Sequence, residues 1–252
     1  MTIRRGTISN DARSRIKLAF QPVALGLGRL GLTPNGLTLI GFSITVVGAV
    51  LLATQQWLLG GIVVFLGGAF DMVDGTLARA TGKVTKLGAF MDSVFDRWGE
   101  AVVYLGLVIG FLGFWGELYS EVGFGLGAPL AAASMGSAFM VSYARAKAEG
   151  LGFSPGTGMA AIGVMPREVR LVVLCLGLIL MGITGLSRTS FPSLNVADIF
   201  GSRIDLDAGY GFIATALAVI IVGSTITTIQ RILHVRNQAR QQSSSQQTEN
   251  AS

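Results

Sequence analysis

Apolar residues dominate six stretches of this chain, each near the roughly 20 residues that a helix needs to cross a bilayer's hydrocarbon. They fall at about 36–54, 58–79, 88–115, 124–148, 168–187 and 209–235, with short polar breaks between them. The pattern predicts an all-α integral membrane protein with six transmembrane helices. Ahead of the first span, residues 11–30 place Ile16, Phe20, Val23, Leu27 and Leu30 near one helical face, with Arg13 and Lys17 elsewhere. That is the pattern of an N-terminal amphipathic helix lying in the membrane interface, bent at Pro22. Beyond the last span, Asn237 to Ser252 is rich in Gln and Ser with almost no apolar content, which predicts a disordered tail. The expected organisation is therefore an N-terminal segment over 1–30, a six-span membrane domain over 31–236 and a tail over 237–252.

Composition agrees with a multi-span protein: 51% of the residues are hydrophobic, 13% are charged and 35 are glycine. Glycines in the second span, Gly60, Gly61, Gly67 and Gly68, are expected to let helices pack closely. Basic residues collect before the first span (Arg4, Arg5, Arg13, Arg15, Lys17, Arg29), after the second (Lys83, Lys86), after the fourth (Arg145, Lys147, Arg167, Arg170) and at the end (Arg236, Arg240). The other side has Arg188 and Arg203 among Glu117, Glu121, Asp198, Asp205 and Asp207. By the positive-inside rule both termini are cytoplasmic. The net charge of +5 suits an anionic membrane surface, and no nucleic-acid signature accompanies it. The first residues do not read as a signal peptide, because Gln21 and Pro22 interrupt the apolar run. Cys175 is expected to be a buried hydrophobe in the fifth span, and His234 a surface or cap residue.

Against this apolar background, Asp71, Asp74, Asp92 and Asp96 stand inside the second and third spans. Ionised carboxylates are costly in hydrocarbon and are rare there without a cavity, a partner or an ion. Asp71 and Asp74 are three residues apart and Asp92 and Asp96 four, so each pair shares a helical face. Gly75 and Gly88 sit one turn from the carboxylates and leave backbone open to a ligand, while Arg79 continues the Asp71 stripe with a fork suited to phosphate. An all-oxygen ligand set selects Mg²⁺, Mn²⁺ or Ca²⁺ over zinc, and Mg²⁺ is commonly held by a few carboxylates plus substrate phosphates. The constellation points to metal-assisted chemistry on a phosphate-containing substrate at the cytoplasmic surface.

The pattern D-x-x-D-G-x-x-A-R, eight residues, then G-x-x-x-D-x-x-x-D, carried by Asp71, Asp74, Gly75, Ala78, Arg79, Gly88, Asp92 and Asp96, resembles the signature of the CDP-alcohol phosphotransferases. These are membrane enzymes of phospholipid synthesis. The resemblance implies attack by an alcohol hydroxyl on the lipid-linked phosphorus of a CDP-lipid such as CDP-diacylglycerol, with release of CMP. It further implies that Asp71, Asp74, Asp92 and Asp96 hold two metal ions and that Asp96 is the general base. Arg79 would then contact the diphosphate, with Gly75, Gly88 and Ser93 on the cytidine side. Thr33-Pro34-Asn35 is similar to a segment common in the family; it reads first as a helix start, with Thr33 as cap and Pro34 in the first turn, and then as a contact to the nucleotide. A homodimer in the bacterial cytoplasmic membrane, in contact with membrane lipids, is implied as well.

The run Ser142-Tyr143-Ala144-Arg145-Ala146-Lys147-Ala148-Glu149 and the later arginines resemble the phosphatidylinositol-phosphate synthase branch. On that resemblance Arg145, Lys147, Arg170 and Arg231 hold the phosphate of inositol 1-phosphate. The order of the first basic pair and the spacing of Pro166-Arg167-Glu168-Val169-Arg170 depart from the branch's form, so glycerol 3-phosphate or another alcohol stays open as acceptor. Charge alone also allows these cations to be a flank for lipid headgroups. A transporter moving protons or metal ions is the alternative from another class; it would favour carboxylates near the midplane rather than beside Arg79 at one face. The Gly-rich stretch 150–163 reads as a flexible connection or a segment closing over substrate.

Overall fold

The computed structural model describes residues 22–113, 126–153, 158–159, 162–187, 194–196, 204–206 and 208–249. A short helix, α1, covers residues 22–29. It is followed by α2 (Pro34–Ala53), α3 (Trp57–Ala80), α4 (Lys86–Phe111), α5 (Gly127–Gly150), α6 (Arg167–Ser187) and α7 (Ala208–Glu249). Helices α2 to α6 coincide with the first five apolar stretches to within four residues, and α7 begins with the sixth and runs beyond it. Among the described residues, three segments are long and apolar enough to cross a membrane on those grounds alone: Pro34–Ala53, Trp57–Ala80 and Gly209–Ser244. Charges in α4 and in the first turn of α6, and the Gly, Ala and Ser content of α5, dilute the apolarity of the others.

The tail expected over 237–252 is helical through Glu249. Gln, Ala and Arg are good helix formers, and residues added to an already anchored helix need no new nucleus. Two short antiparallel strands, β1 (Leu194–Val196) and β2 (Ile204–Leu206), pair Leu194 with Leu206 and Val196 with Ile204. Nothing in the apolar pattern announced them.

Helix ends follow local chemistry. Gly31 closes α1 with a left-handed φ of 85°, and the Thr33 hydroxyl then accepts from Gly36 N–H at 3.1 Å to cap α2, with Pro34 in the first turn. The predicted interfacial helix is described only from Pro22 onward. There Ala24 and Leu27 pack on Leu37, Val73 and Leu77, while Val23 and Leu30 are exposed.

Helix α3 packs on α2 and on α6. Its glycines divide between the two neighbours at heptad spacing. A Cβ at Gly60 would lie 2.6 Å from the Leu52 side chain and one at Gly67 would meet Thr45, both on α2. A Cβ at Gly61 would lie 2.9 Å from Leu178 and one at Gly68 would meet Leu171, both on α6. Bare backbone therefore sets α3 between its neighbours. The apolar core joins Leu52, Val64, Leu107, Phe111, Leu178, Leu217 and Ile220, with Trp57 stacked on Phe111 at 5.1 Å between centroids. Cys175 is buried in it, as expected. The described part of the Gly-rich stretch is anchored: Phe153, Met159 and Ile162 pack with Ala148 and Val235.

Candidate active site

The acidic residues of α3 and α4 meet where the two helices join. Gly82 ends α3 with φ 64°, and the Thr85 hydroxyl caps α4 by accepting from Gly88 N–H at 3.0 Å. This turn brings carboxylate oxygens of Asp71, Asp74 and Asp92 within 4.8 Å of one another. Like charges gathered so closely, all on hard oxygens, make a fitting cradle for a divalent cation such as Mg²⁺ or Mn²⁺. Asp74 is buried, and the Thr38 hydroxyl of α2 donates to its Oδ2 at 2.5 Å. That bond orients a carboxylate from behind, as the supporting shell of a metal site does.

Asp96, one turn along α4 from Asp92, stays beside Asp71 of this trio. Its Oδ1 lies 2.6 Å from the Arg167 guanidinium, which also pairs with Asp71. Arg167 thus bridges the acidic cluster to a cavity of about 410 Å³. The cavity is lined by Asp71, Ser93, Asp96 and Arg97 from α3 and α4, Ser142, Arg145 and Glu149 from α5, Arg167 and Arg170 from α6, and Arg231 from α7. Most of its arginines already hold partners. Arg97 Nη1 is 2.5 Å from Glu100 Oε2 and donates to Ser142 Oγ at 2.6 Å. Arg170, only 2% exposed, donates through Nε to Glu100 Oε1 at 2.9 Å and through Nη1 to the Met165 carbonyl at 3.1 Å. Arg231 donates to the carbonyls of Ile162 and Val141 at 3.1 and 2.5 Å, and Arg145 pairs with Glu149 at 3.0 Å.

The connection into α6 is fixed from α7. Thr227 Oγ1 accepts from the N–H groups of Val164 and Met165 at 3.2 and 3.0 Å, and Arg231 holds the Ile162 carbonyl in the same stretch. One helix therefore sets where both Arg167 and Arg170 enter the cavity.

Among the residues singled out from the sequence, Asp71, Asp74 and Asp92 come together, and Arg145, Arg170 and Arg231 share the cavity. Lys147 is exposed and does not line it. With side chains repeating every 3.6 residues, position 147 faces away from 145 and 149. Ser93, expected on the cytidine side, lines the arginine cavity. Asn35 Oδ1 comes within 3.4 Å of where a Cβ would stand on Gly88, so the starts of α2 and α4 adjoin. Gly75 leaves space that the Arg79 guanidinium approaches, 3.4 Å from the position of an absent Cβ.

The sequence reading passed over Thr38, Arg97, Glu100, Ser142 and Arg167 as site residues. Glu100 was within reach, because it extends the Asp92–Asp96 interval by one more turn. Thr38 and Ser142 carry no such signal, being ordinary polar residues until the helices pack.

Comparison with known proteins agrees with this geometry. The family profile described as CDP-alcohol phosphatidyltransferase matches residues 31–189. The archaetidylinositol phosphate synthase of Pyrococcus horikoshii is 36% identical over 162 residues, covering 64% of this chain and 77% of that protein. The phosphatidylinositol phosphate synthase of Streptomyces avermitilis is 29% identical over 255 residues, covering 100% of this chain and 91% of its own. Among solved structures, the phosphatidylinositol phosphate synthase of Mycobacterium tuberculosis with CDP-DAG bound superposes with a TM-score of 0.64 at 26% identity, over 86% of this chain and 92% of that one. The same enzyme in complex with manganese and citrate gives 0.63. With a profile spanning well over half of the sequence and a relative above 30% identity, this chain belongs to the CDP-alcohol phosphatidyltransferase family.

Proposed function

We propose that this protein transfers the phosphatidyl group of CDP-diacylglycerol to a hydroxyl of inositol 1-phosphate and releases CMP. The observation that carries the reading is the adjacency of two unlike sites. An all-carboxylate cradle suits the cation that a diphosphate donor requires, and an arginine-lined cavity beside it suits a second, phosphorylated substrate. The donor and acceptor classes follow the names of the Streptomyces and Mycobacterium proteins.

In this reading the acceptor hydroxyl attacks the lipid-linked phosphorus. A P–O bond to the acceptor forms, the P–O bond to CMP breaks, and Asp96 takes the hydroxyl proton on a carboxylate oxygen. Asp71, Asp74 and Asp92 hold the divalent ion, with Asp96 contributing to a second; when bound, the metal neutralises the diphosphate and stabilises the leaving CMP. Arg79, with Gly75, Gly88 and the Thr33-Pro34-Asn35 start of α2, forms the nucleotide side. Arg145, Arg170 and Arg231, joined by Arg97 and Arg167, receive the acceptor phosphate. Because Arg167 occupies both Asp71 and Asp96, full exposure of Asp96 to a hydroxyl requires that pair to open.

All of α2 to α7 cross the bilayer in this proposal, with the site facing the cytoplasm. Lys83 and Lys86 flank the turn beside the acidic cluster, whereas the α2–α3 turn at the other end, Thr54-Gln55-Gln56, carries no charge.

The test is CMP release by the purified protein in lipid or detergent with CDP-diacylglycerol and Mg²⁺ or Mn²⁺, across inositol 1-phosphate, inositol, glycerol 3-phosphate and serine. Turnover with inositol 1-phosphate alone supports the proposal. Turnover with glycerol 3-phosphate alone keeps the chemistry and reassigns the acceptor.

A further inference from the structure

Glu100 is tied to two cavity arginines, Arg170 and Arg97, both within 3 Å. Its oxygens are divided between helices. Oε1 lies 2.9 Å from Nε and 2.8 Å from Nη2 of Arg170 on α6, and Oε2 lies 2.5 Å from Nη1 of Arg97 on α4. Arg97 in turn reaches Ser142 on α5. Behind the carboxylate is a separate cavity of about 40 Å³, lined in part by Val64, Val103, Leu171 and Leu174. That is room for about three waters at most. Glu100 is therefore screened by little solvent and is held chiefly by the two guanidiniums.

Arg97 Nη2 also lies 3.8 Å from Asp96 Oδ2, so Glu100 shares one of its two guanidiniums with a second carboxylate. Both arginines line the larger cavity, where an anion would enter. Each guanidinium has five N–H donors, and those turned from Glu100 stay available in a fixed direction.

We propose that Glu100 is a positioning residue for the transfer reaction: it holds Arg97 and Arg170 as a pair whose outward N–H groups bind the acceptor's phosphate. It touches neither substrate. The inference rests on the proposed phosphorylated acceptor and adds Arg97 to the groups that recognise it.

The test uses the full chain in lipid with Glu100→Gln, Glu100→Asp, Arg97→Gln and the Glu100→Gln/Arg97→Gln double variant. A glutamine keeps the volume but presents an N–H₂ to one guanidinium, so the pair splays. The Gln variant is expected to raise the KM for inositol 1-phosphate about tenfold or more while the CDP-diacylglycerol KM changes by about twofold or less. The Asp variant should recover part of the loss, and the double variant should be no worse than the poorer single one, because both act through one pair. A purely structural role would lower kcat or active fraction without separating the two KM values. Equal shifts in both constants, unchanged constants, or single-variant effects that multiply would overturn the proposal. If Glu100→Gln does not fold, Glu100→Asp against Arg97→Gln decides by the same split. If the wild type releases no CMP with any phosphorylated acceptor, it is the functional reading that fails. Calorimetric binding of inorganic phosphate then tests the pair directly: about tenfold weaker binding in the folded variant supports it, and unchanged binding overturns it.

Discussion

The acidic cluster and the arginine cavity adjoin, yet they are built in opposite ways. Three carboxylates on α3 and α4 gather like charge with Thr38 as the supporting donor, an arrangement that becomes favourable when a cation enters. Across Arg167, the cavity's cations are already answered: Arg170 and Arg97 by Glu100, Arg145 by Glu149 and Arg231 by two carbonyls. The first site stores electrostatic demand. The second spends most of its charge on its own architecture, so its ligand must compete with or share internal partners. Substitutions should therefore cost function at the cluster and both function and stability at the cavity.

The largest effect is expected from Asp92→Asn, which removes a charge from the cluster without changing side-chain volume. CMP release should fall by about 10²–10³-fold, the scale on which loss of a charge-stabilising group acts, with the melting temperature unchanged or raised. Retained turnover in the folded variant would remove Asp92 from the site. Arg170→Ala should be the reverse case. Stripping a partner from Glu100 should destabilise the protein by about 3–5 kcal/mol, read as a lower midpoint in detergent, together with a raised acceptor KM. A variant with normal stability would show that the buried pair contributes less than its geometry implies. Thr38→Val removes only the donor behind Asp74, and about tenfold weaker activation in a Mn²⁺ titration is expected from losing such support. Unaltered metal dependence would make Thr38 a helix-packing residue. Smallest is Lys147→Ala, with about a twofold change in acceptor KM at most, as for exposed substitutions generally. An effect matching that of Arg145→Ala would return Lys147 to the cavity.

The same contrast explains what could be read from the chain. Asp71 to Asp96 lie within one helix–turn–helix, where spacing converts directly into shared faces, so the cluster was legible before any packing was known. Thr33 was legible as a cap because it acts on its own backbone, and Gly60, Gly61, Gly67 and Gly68 because their spacing bares two helical faces, although their partners on α2 and α6 were not. The cavity draws on α3 to α7, and its members become adjacent only through tertiary contacts. Lys147 was selected on the resemblance of its run to the synthase branch, and helical periodicity turns it outward from Arg145. Arg167 was visible as a charge but not as a bridge, because its partners are 96 residues away at Asp71 and across the bundle at Asp96. The end of α7 went unread for a different reason: composition reports what a segment does in isolation, whereas this one continues a helix that is anchored by Leu217, Ile220, Thr227 and Arg231.

That last helix has a practical consequence. At 42 residues its contour is about 60 Å, roughly twice the hydrocarbon thickness, so in the proposed membrane arrangement its far portion stands clear of the lipid as a spacer. A fluorophore, affinity handle or surface-tethering group joined beyond it is then held away from the bilayer surface. Immobilised enzyme or single-molecule formats built from that end should therefore leave catalysis unhindered.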